Sequence, residues 1–448
     1  MTDTPLADAL AALLAARWDP PLPPEVARRA RLLLLDTVGC AIAGAAAPEV
    51  AALAEATMAG RRGSLRLPGF AVALDIPAAA LLFATAACWD EACEGLARAH
   101  GRPGLHTLPA VLALGLSRGA TLGAVLQALA LGYEVAGRLG EVLRIRRGMH
   151  VDGTWGVFGA AAGAARMLGA SAAEALDAVR IAALGVPASL YLPIRRGSAA
   201  RNLYAGQAAE RGIAAAIAAV SGIAPPADAL EEAARVAFGL DPAALALAPP
   251  EAWLLPEGYL KPFAAVRHAH YPAAAAIALR PRLPADPGAI IGIRLRTYSE
   301  AIAYAGNRAP AAPITAQFSL SWATAHALRH GALGPGACRP EALADAATRR
   351  LEALVAIEAD PARDAAGRRG ASLLVRLADG RELAAEADSV PGDADRPMTE
   401  AETRAKVLDY ARPVLGGAAA ARLAEAICSA PEETPLAAVL MPQEPEDR

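Results

Sequence analysis

The sequence predicts a mostly α protein: a large, discontinuous all-helical domain with a smaller α+β lid domain hung from it. Three observations point there. Hydrophobic residues make up 55% of the 448-residue chain but aromatics only 4%, with alanine far the commonest residue; small side chains suit helices that approach one another closely. Apolar residues recur at helical spacing as far as about residue 221, with Gly, Pro or Asp at most joints. After about residue 260 the texture turns β-rich, and it returns to helix from Thr399. The expected boundaries are 1–262 and 395–448 for the helical domain and 263–394 for the lid.

Taken in order, residues 6–17 and 24–46 read as helices, the second preceded by Pro23 and Pro24 and carrying Leu32, Leu33, Leu34, Leu35, Val38 and Ile42 on its apolar face. Asp36 falls inside that apolar stretch and, once buried, needs a partner such as a neighbouring helix end. Helices are expected at 49–58, 76–89, 107–117, 122–138, 155–168, 172–184 and 203–221. In the lid, residues 289–298 (AIIGIRLRTY) alternate as a strand does. Residues 351–358 read as a strand or a helix end running into one. Ala-Asp-Gly-Arg at 378–381 predicts a hairpin joining 371–377 to 382–387, and helices are expected over 316–329 and 340–349. The chain then closes on two helical segments and an acidic tail expected to fray. A cleft between two such bodies is the default place for a ligand.

Composition excludes several function classes. A net charge of −3 and a pI of about 6.2 give no global field toward nucleic acid or an anionic membrane. The five cysteines are scattered without a CxxC pair, so no disulfide framework is expected. The N-terminus lacks the basic and apolar regions of a signal peptide, and no run has the continuity of a membrane span; a cytoplasmic location is the expectation.

Four segments carry candidate chemistry. Residues 143–169 place Arg144, Arg146 and Arg147 before a turn ending in His150, then a Gly-Thr-Trp-Gly run and a small-residue helix. A histidine there is either an active-site group or a plain helix cap. Residues 88–109 combine Asp90, Glu91 and Glu94 with His100 and His106 in a Gly/Pro-rich loop, which reads as a proton-transfer set or as a solvated surface loop. Cys93 is expected to be unactivated, because the neighbouring acids raise its pKa. Residues 192–212 carry Arg195, Arg196 and Arg201, and residues 258–272 carry Lys261, Arg267 and His268 at the domain joint. Loop cations before helices suit carboxylate or phosphate groups, and with no Walker loop or GxGxxG the expected ligand is a small, multiply anionic acid. No metal is expected: His326 and His330 are four apart, but HALRH lacks the glutamate of a zinc hydrolase motif, and His268 and His270 have no acidic ligands nearby. Without a GxSxG elbow or a cofactor signature, the inventory suits proton abstraction α to a carboxylate, as in dehydration, decarboxylation or epimerisation.

At this point the motifs resemble the MmgE/PrpD family, which includes 2-methylcitrate dehydratases, cis-aconitate decarboxylases and an iminodisuccinate epimerase. LLDTVGCAIAG (34–44), GMHVDGTWGVFGAAAGAARMLG (148–169), AARNLYAGQAAERGIAAA (199–216), GYLKPFAAVRHAH (258–270) and NRAPAAPITAQFSLSWATAHAL (307–328) resemble its segments in order. The resemblance implies a homodimer of two-domain subunits, with a cofactor-free and metal-free site in the cleft. It carries site roles to Asp90, His100, His150 and Lys261, and also to Tyr304, although the spacing around AYAGNRAP differs. The histidine loop is longer than the family's, so His106 competes with His100. Ala92, Cys93 and Glu94 depart from the family's D-x-D-D-T-H, and Arg201 replaces a lysine, keeping the charge but not a proton to give at neutral pH. These departures argue against 2-methylcitrate itself.

The expectation is a cofactor-independent lyase acting on a small di- or tricarboxylic acid, with dehydration leading. Epimerisation, decarboxylation or a non-catalytic carboxylate-binding relative are the alternatives. His150 and either His100 or His106 would serve as acid and base, and Asp90 would orient a histidine or bind a hydroxyl. Lys261, Arg201, Arg267, His268 and Tyr304 would contact substrate. Arg144, Arg146 and Arg147 would tune the field or a dimer contact without touching substrate.

Overall fold

The computed structural model describes residues 4–248 and 252–442. Among the described residues the chain builds two large apolar cores, with two small clusters beside them. The larger draws on residues from Leu6 to Ala264 and again from Met398 to Leu440, and the smaller on residues from Ala265 to Val390. At the centre of the larger lies the helix Gly156–Met167, buried at every position from Gly156 to Ala165. It packs against Pro103–Ser117, Leu122–Val142 and Leu203–Val220. Small residues make that possible: a Cβ on Gly132 would stand 2.5 Å from the carbonyl oxygen of Gly159, so the two backbones touch where they cross.

The helix Pro24–Ala45 is the second axis. It packs on Ile76–Trp89 and on the returning helix Glu400–Leu415, which brings the C-terminal part of the chain back into the first core. Asp36, fully buried in the middle of Pro24–Ala45, meets Lys406 from Glu400–Leu415 at 2.5 Å, and the same ammonium reaches the carbonyl of Ala92 at 2.7 Å. The partner of Asp36 is therefore a lysine brought from far along the chain. No single helix among the described residues is long and apolar enough to cross a membrane.

The second core is a four-stranded mixed sheet with helices against it. Ile290–Thr297 pairs in parallel with Val355–Ala359 on one side and antiparallel with Ala371–Leu377 on the other, and Ala371–Leu377 pairs with Glu382–Ala387 across the expected hairpin. His270–Leu279 packs against the last two strands and against Leu320–His330.

Capping chemistry explains where elements depart from expectation. The helix expected at 107–117 begins at Pro103, whose missing N–H is harmless in a first turn. The stretch 316–329 is two helices, Pro313–Gln317 and Leu320–His330, because Ser319 leaves the helical region and its hydroxyl accepts from the Trp322 N–H. Asp345 likewise starts Ala346–Leu354, splitting 340–349, and that helix runs into the strand at Val355. The acidic tail does not fray as far as Leu440: Leu436–Leu440 buries Leu436, Val439 and Leu440, and the N–H of Leu122 donates to Thr434. The rest of the tail, residues 443–448, lies outside the described residues.

The Asp36–Lys406 pair gives a direct test. Lys406→Met leaves a carboxyl buried without its cation and is expected to lower stability by about 3–5 kcal/mol in urea unfolding, whereas the double variant Asp36→Asn/Lys406→Met recovers most of the loss.

Candidate active site

A cavity of about 620 Å³ lies where the two cores face each other. Its helical-domain wall comes from the segment after Ile76–Trp89, the turn before Gly156–Met167 and the start of Leu203–Val220. Its other wall includes His268, Tyr304, Phe318 and Arg369, with Lys261 at the joint. Two short backbone ladders fix the helical-domain wall. Gly95 exchanges hydrogen bonds with Tyr259, two residues before Lys261, and Leu96 with Gly101, which puts His100 at the tip of a tight turn. The N–H of His150 donates to Ser189, and that of Tyr191 to Gly148, joining the His150 turn to the Tyr191 segment.

The floor is a cluster of buried charge. Glu91 accepts from Lys261 Nζ at 2.6 Å and from Arg201, and lies 3.3 Å from Arg102. Asp152 pairs with Arg102 and lies 3.2 Å from Arg201. Burial alone would push both carboxyls up, but the cations outweigh it: Arg102, Arg201 and Lys261 hold Glu91, and Arg102 and Arg201 hold Asp152, well below the usual range. Three cations thus share two carboxylates. Arg201 Nε has no partner, although the side chain is buried and lines the cavity. Glu91 sits at φ +53°, a left-handed conformation uncommon for a residue with a side chain.

The histidines divide by environment. The backbone N–H of Asp152 donates to His150 Nδ1 at 3.0 Å, so the neutral ring carries its proton on Nε2. Burial, opposed by Asp152 and reinforced by Arg201 and Arg102, drives its pKa down to about 4. The ring stacks on Tyr191 at 5.9 Å. His100, also at φ +53°, is the accessible one; burial and the nearby Arg144 lower its pKa, so it too is neutral at pH 7. His268 contacts Tyr298 Oη at 2.6 Å and stacks on Tyr304 at 5.7 Å, with burial pushing it to about 3.

Buried cations and three histidines thus line one cavity. The MmgE/PrpD N-terminal domain matches residues 8–240, and the MmgE/PrpD C-terminal domain matches residues 263–430. The chain belongs to the MmgE/PrpD family. Membership supports a dehydratase/lyase-type or related function. A search of curated proteins finds no match.

Of the site residues expected from the sequence, His100, His150, Lys261, Arg201, Arg267, His268 and Tyr304 all line the cavity. Asp90 and His106 do not. Asp90 ends the helix Ile76–Trp89 and faces away, 3.7 Å from Arg339, while the left-handed turn at Glu91 sends the next carboxylate into the cavity instead. Burial raises the Asp90 carboxyl to about 7, with Arg339 opposing. His106 lies one turn inside Pro103–Ser117. Both its ring nitrogens are engaged, with the Arg102 carbonyl at 2.8 Å and the Gly153 N–H at 2.9 Å. The ring packs so tightly on Gly156 that a Cβ there would come within 2.3 Å of it.

Arg144, Arg146 and Arg147, expected to tune the field or a dimer contact, all line the cavity. Arg102 and Asp152 escaped the sequence reading, although each lies within two residues of a histidine it singled out. Cys93 is unactivated as expected, chiefly because burial pushes its thiol to about 12. Among the described residues, no group of three or more His, Cys, Asp or Glu could hold a metal ion.

Glu94, behind the cluster, accepts from the Leu105 N–H at 3.1 Å, and its Oε2 has no partner. Burial raises its pKa to about 8. A raised pKa means that its contribution is intact below the unfolded value near 4.5 and is lost as pH rises through about 8. Glu94→Gln is therefore expected to match the wild type in thermal unfolding at pH 5 and to exceed it by several degrees at pH 9.

Proposed function

We propose that the protein is a cofactor-independent lyase, most directly a dehydratase, acting on a di- or tricarboxylic acid by removing a proton α to a carboxylate. One observation carries this reading: neutral imidazoles and buried cations line the same cavity. A substrate carboxylate entering it meets Lys261 and the unused Nε–H of Arg201. His100, neutral and accessible, is the base. As the C–H bond breaks, its proton passes to His100 and its electron pair spreads into the carboxylate. The charge that develops there is met by Lys261, Arg201 and the Nε2–H of His150, a donor that is already neutral and fixed in orientation.

Dehydration is completed when the C–O bond of a β-hydroxyl breaks and the hydroxyl leaves as water, taking back the proton held by His100. Return of a proton to the opposite face of the same carbanion would give epimerisation, and loss of a carboxyl group decarboxylation. A second reading, a carboxylate-binding relative without chemistry, is favoured by the presence of Glu91 and Asp152 on the very cations a substrate would use.

Solvent deuterium exchange into a panel of citrate-like and aspartate-like acids separates the two, because a pure binder shows affinity without exchange at carbon. With an exchanging acid in hand, His100→Gln is expected to lower kcat/KM by about 10²–10⁴, and His150→Gln by about 10²–10³. Because the base must be neutral and burial and Arg144 lower the His100 pKa, the wild-type rate should fall in acid at a lower pH than the titration of a free imidazole would give. Unchanged turnover in His150→Gln would remove its assigned role.

A further inference from the structure

The cavity is lined by eight arginines and one lysine but only three carboxylates, in a chain whose net charge is −3. The cations differ in how far they are committed. On the floor, Arg102, Arg201 and Lys261 are ion-paired with Glu91 and Asp152, which leaves a single positive charge over, and Arg267 is held by Asp393. At the mouth, Arg369 lies 3.6 Å from Glu300, but Arg144, Arg147 and Arg195 have no ion pair among the described residues. Arg147 and Arg195 are both exposed.

Two of the mouth arginines also sit on segments that are hydrogen-bonded to each other. Arg147 directly precedes Gly148, whose carbonyl accepts from Tyr191, and Arg195 lies one turn beyond Tyr191 in Leu192–Arg196. The ladder between residues 148–150 and 189–191 thus fixes two cations on adjoining segments, where like charges repel unless an anion lies between them. Size points the same way. A cavity of about 620 Å³ falls in the range that encloses drug-sized ligands, far larger than a four- to six-carbon acid requires.

We propose that the acid taken by this site is elongated and has two anionic ends. Its reacting carboxylate lies deep, against Lys261 and Arg201, and a second, remote carboxylate or phosphate is bound at the mouth by Arg144, Arg147 and Arg195. The proposal rests on the carboxylic-acid reading of the site, and it adds a length requirement and a specificity subsite.

Calorimetric titration of the wild-type protein with unbranched α,ω-dicarboxylates from succinate to suberate, and with ω-phosphonocarboxylates of matching length, tests it. The tightest member should be longer than succinate. The double variant Arg147→Gln/Arg195→Gln, at two exposed positions outside the proton-transfer machinery, should weaken that member about tenfold while changing succinate by less than about twofold. Arg66→Gln, an exposed arginine that does not line the cavity, should change neither. The series that loses affinity, carboxylate or phosphonate, assigns the remote group. Succinate binding as tightly as every longer acid, or a double variant indistinguishable from wild type in both series, would overturn the proposal. Deuterium exchange into short acids without any length preference would sink this inference and leave the lyase reading standing. A length preference without exchange into any acid would do the reverse.

Discussion

Five charged side chains from five separate stretches of chain meet at the base of the cavity: Glu91, Arg102, Asp152, Arg201 and Lys261. Removing such groups from water costs several kcal/mol per ion, and their mutual attraction offsets that only when each finds its partners. The cluster therefore ties together the end of Ile76–Trp89, the entry to Pro103–Ser117, the turn before Gly156–Met167, the start of Leu203–Val220 and the domain joint. Displacing any one of these segments strands a charge. With three cations against two carboxylates, the cluster also leaves one positive charge for something else to meet, and this is where the fold's stability and its chemistry share residues.

The apolar packing around that cluster follows from the small side chains. Gly132 and Gly159 let two central helices cross at backbone contact, and Gly156 gives the His106 ring its place. His106 in turn holds the Gly153 N–H and the Arg102 carbonyl, so it braces the two segments that deliver Arg102 and Asp152. A histidine that looks catalytic in the sequence is thus part of the frame, and the catalytic candidates are those whose rings keep a nitrogen free for the cavity.

How much of this was legible in the sequence depends on the distance over which each feature is decided. Helices marked by apolar periodicity and by Pro or Gly were legible nearly to their ends, as were the strand at Ile290–Thr297 and the hairpin at Ala371–Leu377 and Glu382–Ala387. Breaks made by one capping side chain, at Ser319 and Asp345, were not, because serine and aspartate also occur inside or outside helices without capping. Spacing and motif resemblance located the segments of the site, but which side chain of a segment faces the cavity is settled by a single backbone torsion. The left-handed turn at Glu91 exchanges the roles of Asp90 and Glu91, and a helix starting four residues early removes His106. The partner of Asp36 was invisible because Lys406 is 370 positions away.

The two domains are joined in an unusual currency. Gln317 Nε2 donates to the carbonyl of Trp89 at 2.8 Å, and Arg339 to the carbonyl of Ala43 at 3.1 Å, so these lid side chains grip main-chain oxygens at the ends of two helices. A carbonyl is the same whichever residue supplies it. The two hydrogen bonds therefore place no demand of their own on the side chains at 43 and 89, provided the helix ends stay where they are. Positions 317 and 339 have no such freedom. Across relatives these two hydrogen bonds should leave an asymmetric record, constraining the residues at 317 and 339 without a matching demand on the residues whose carbonyls they grip.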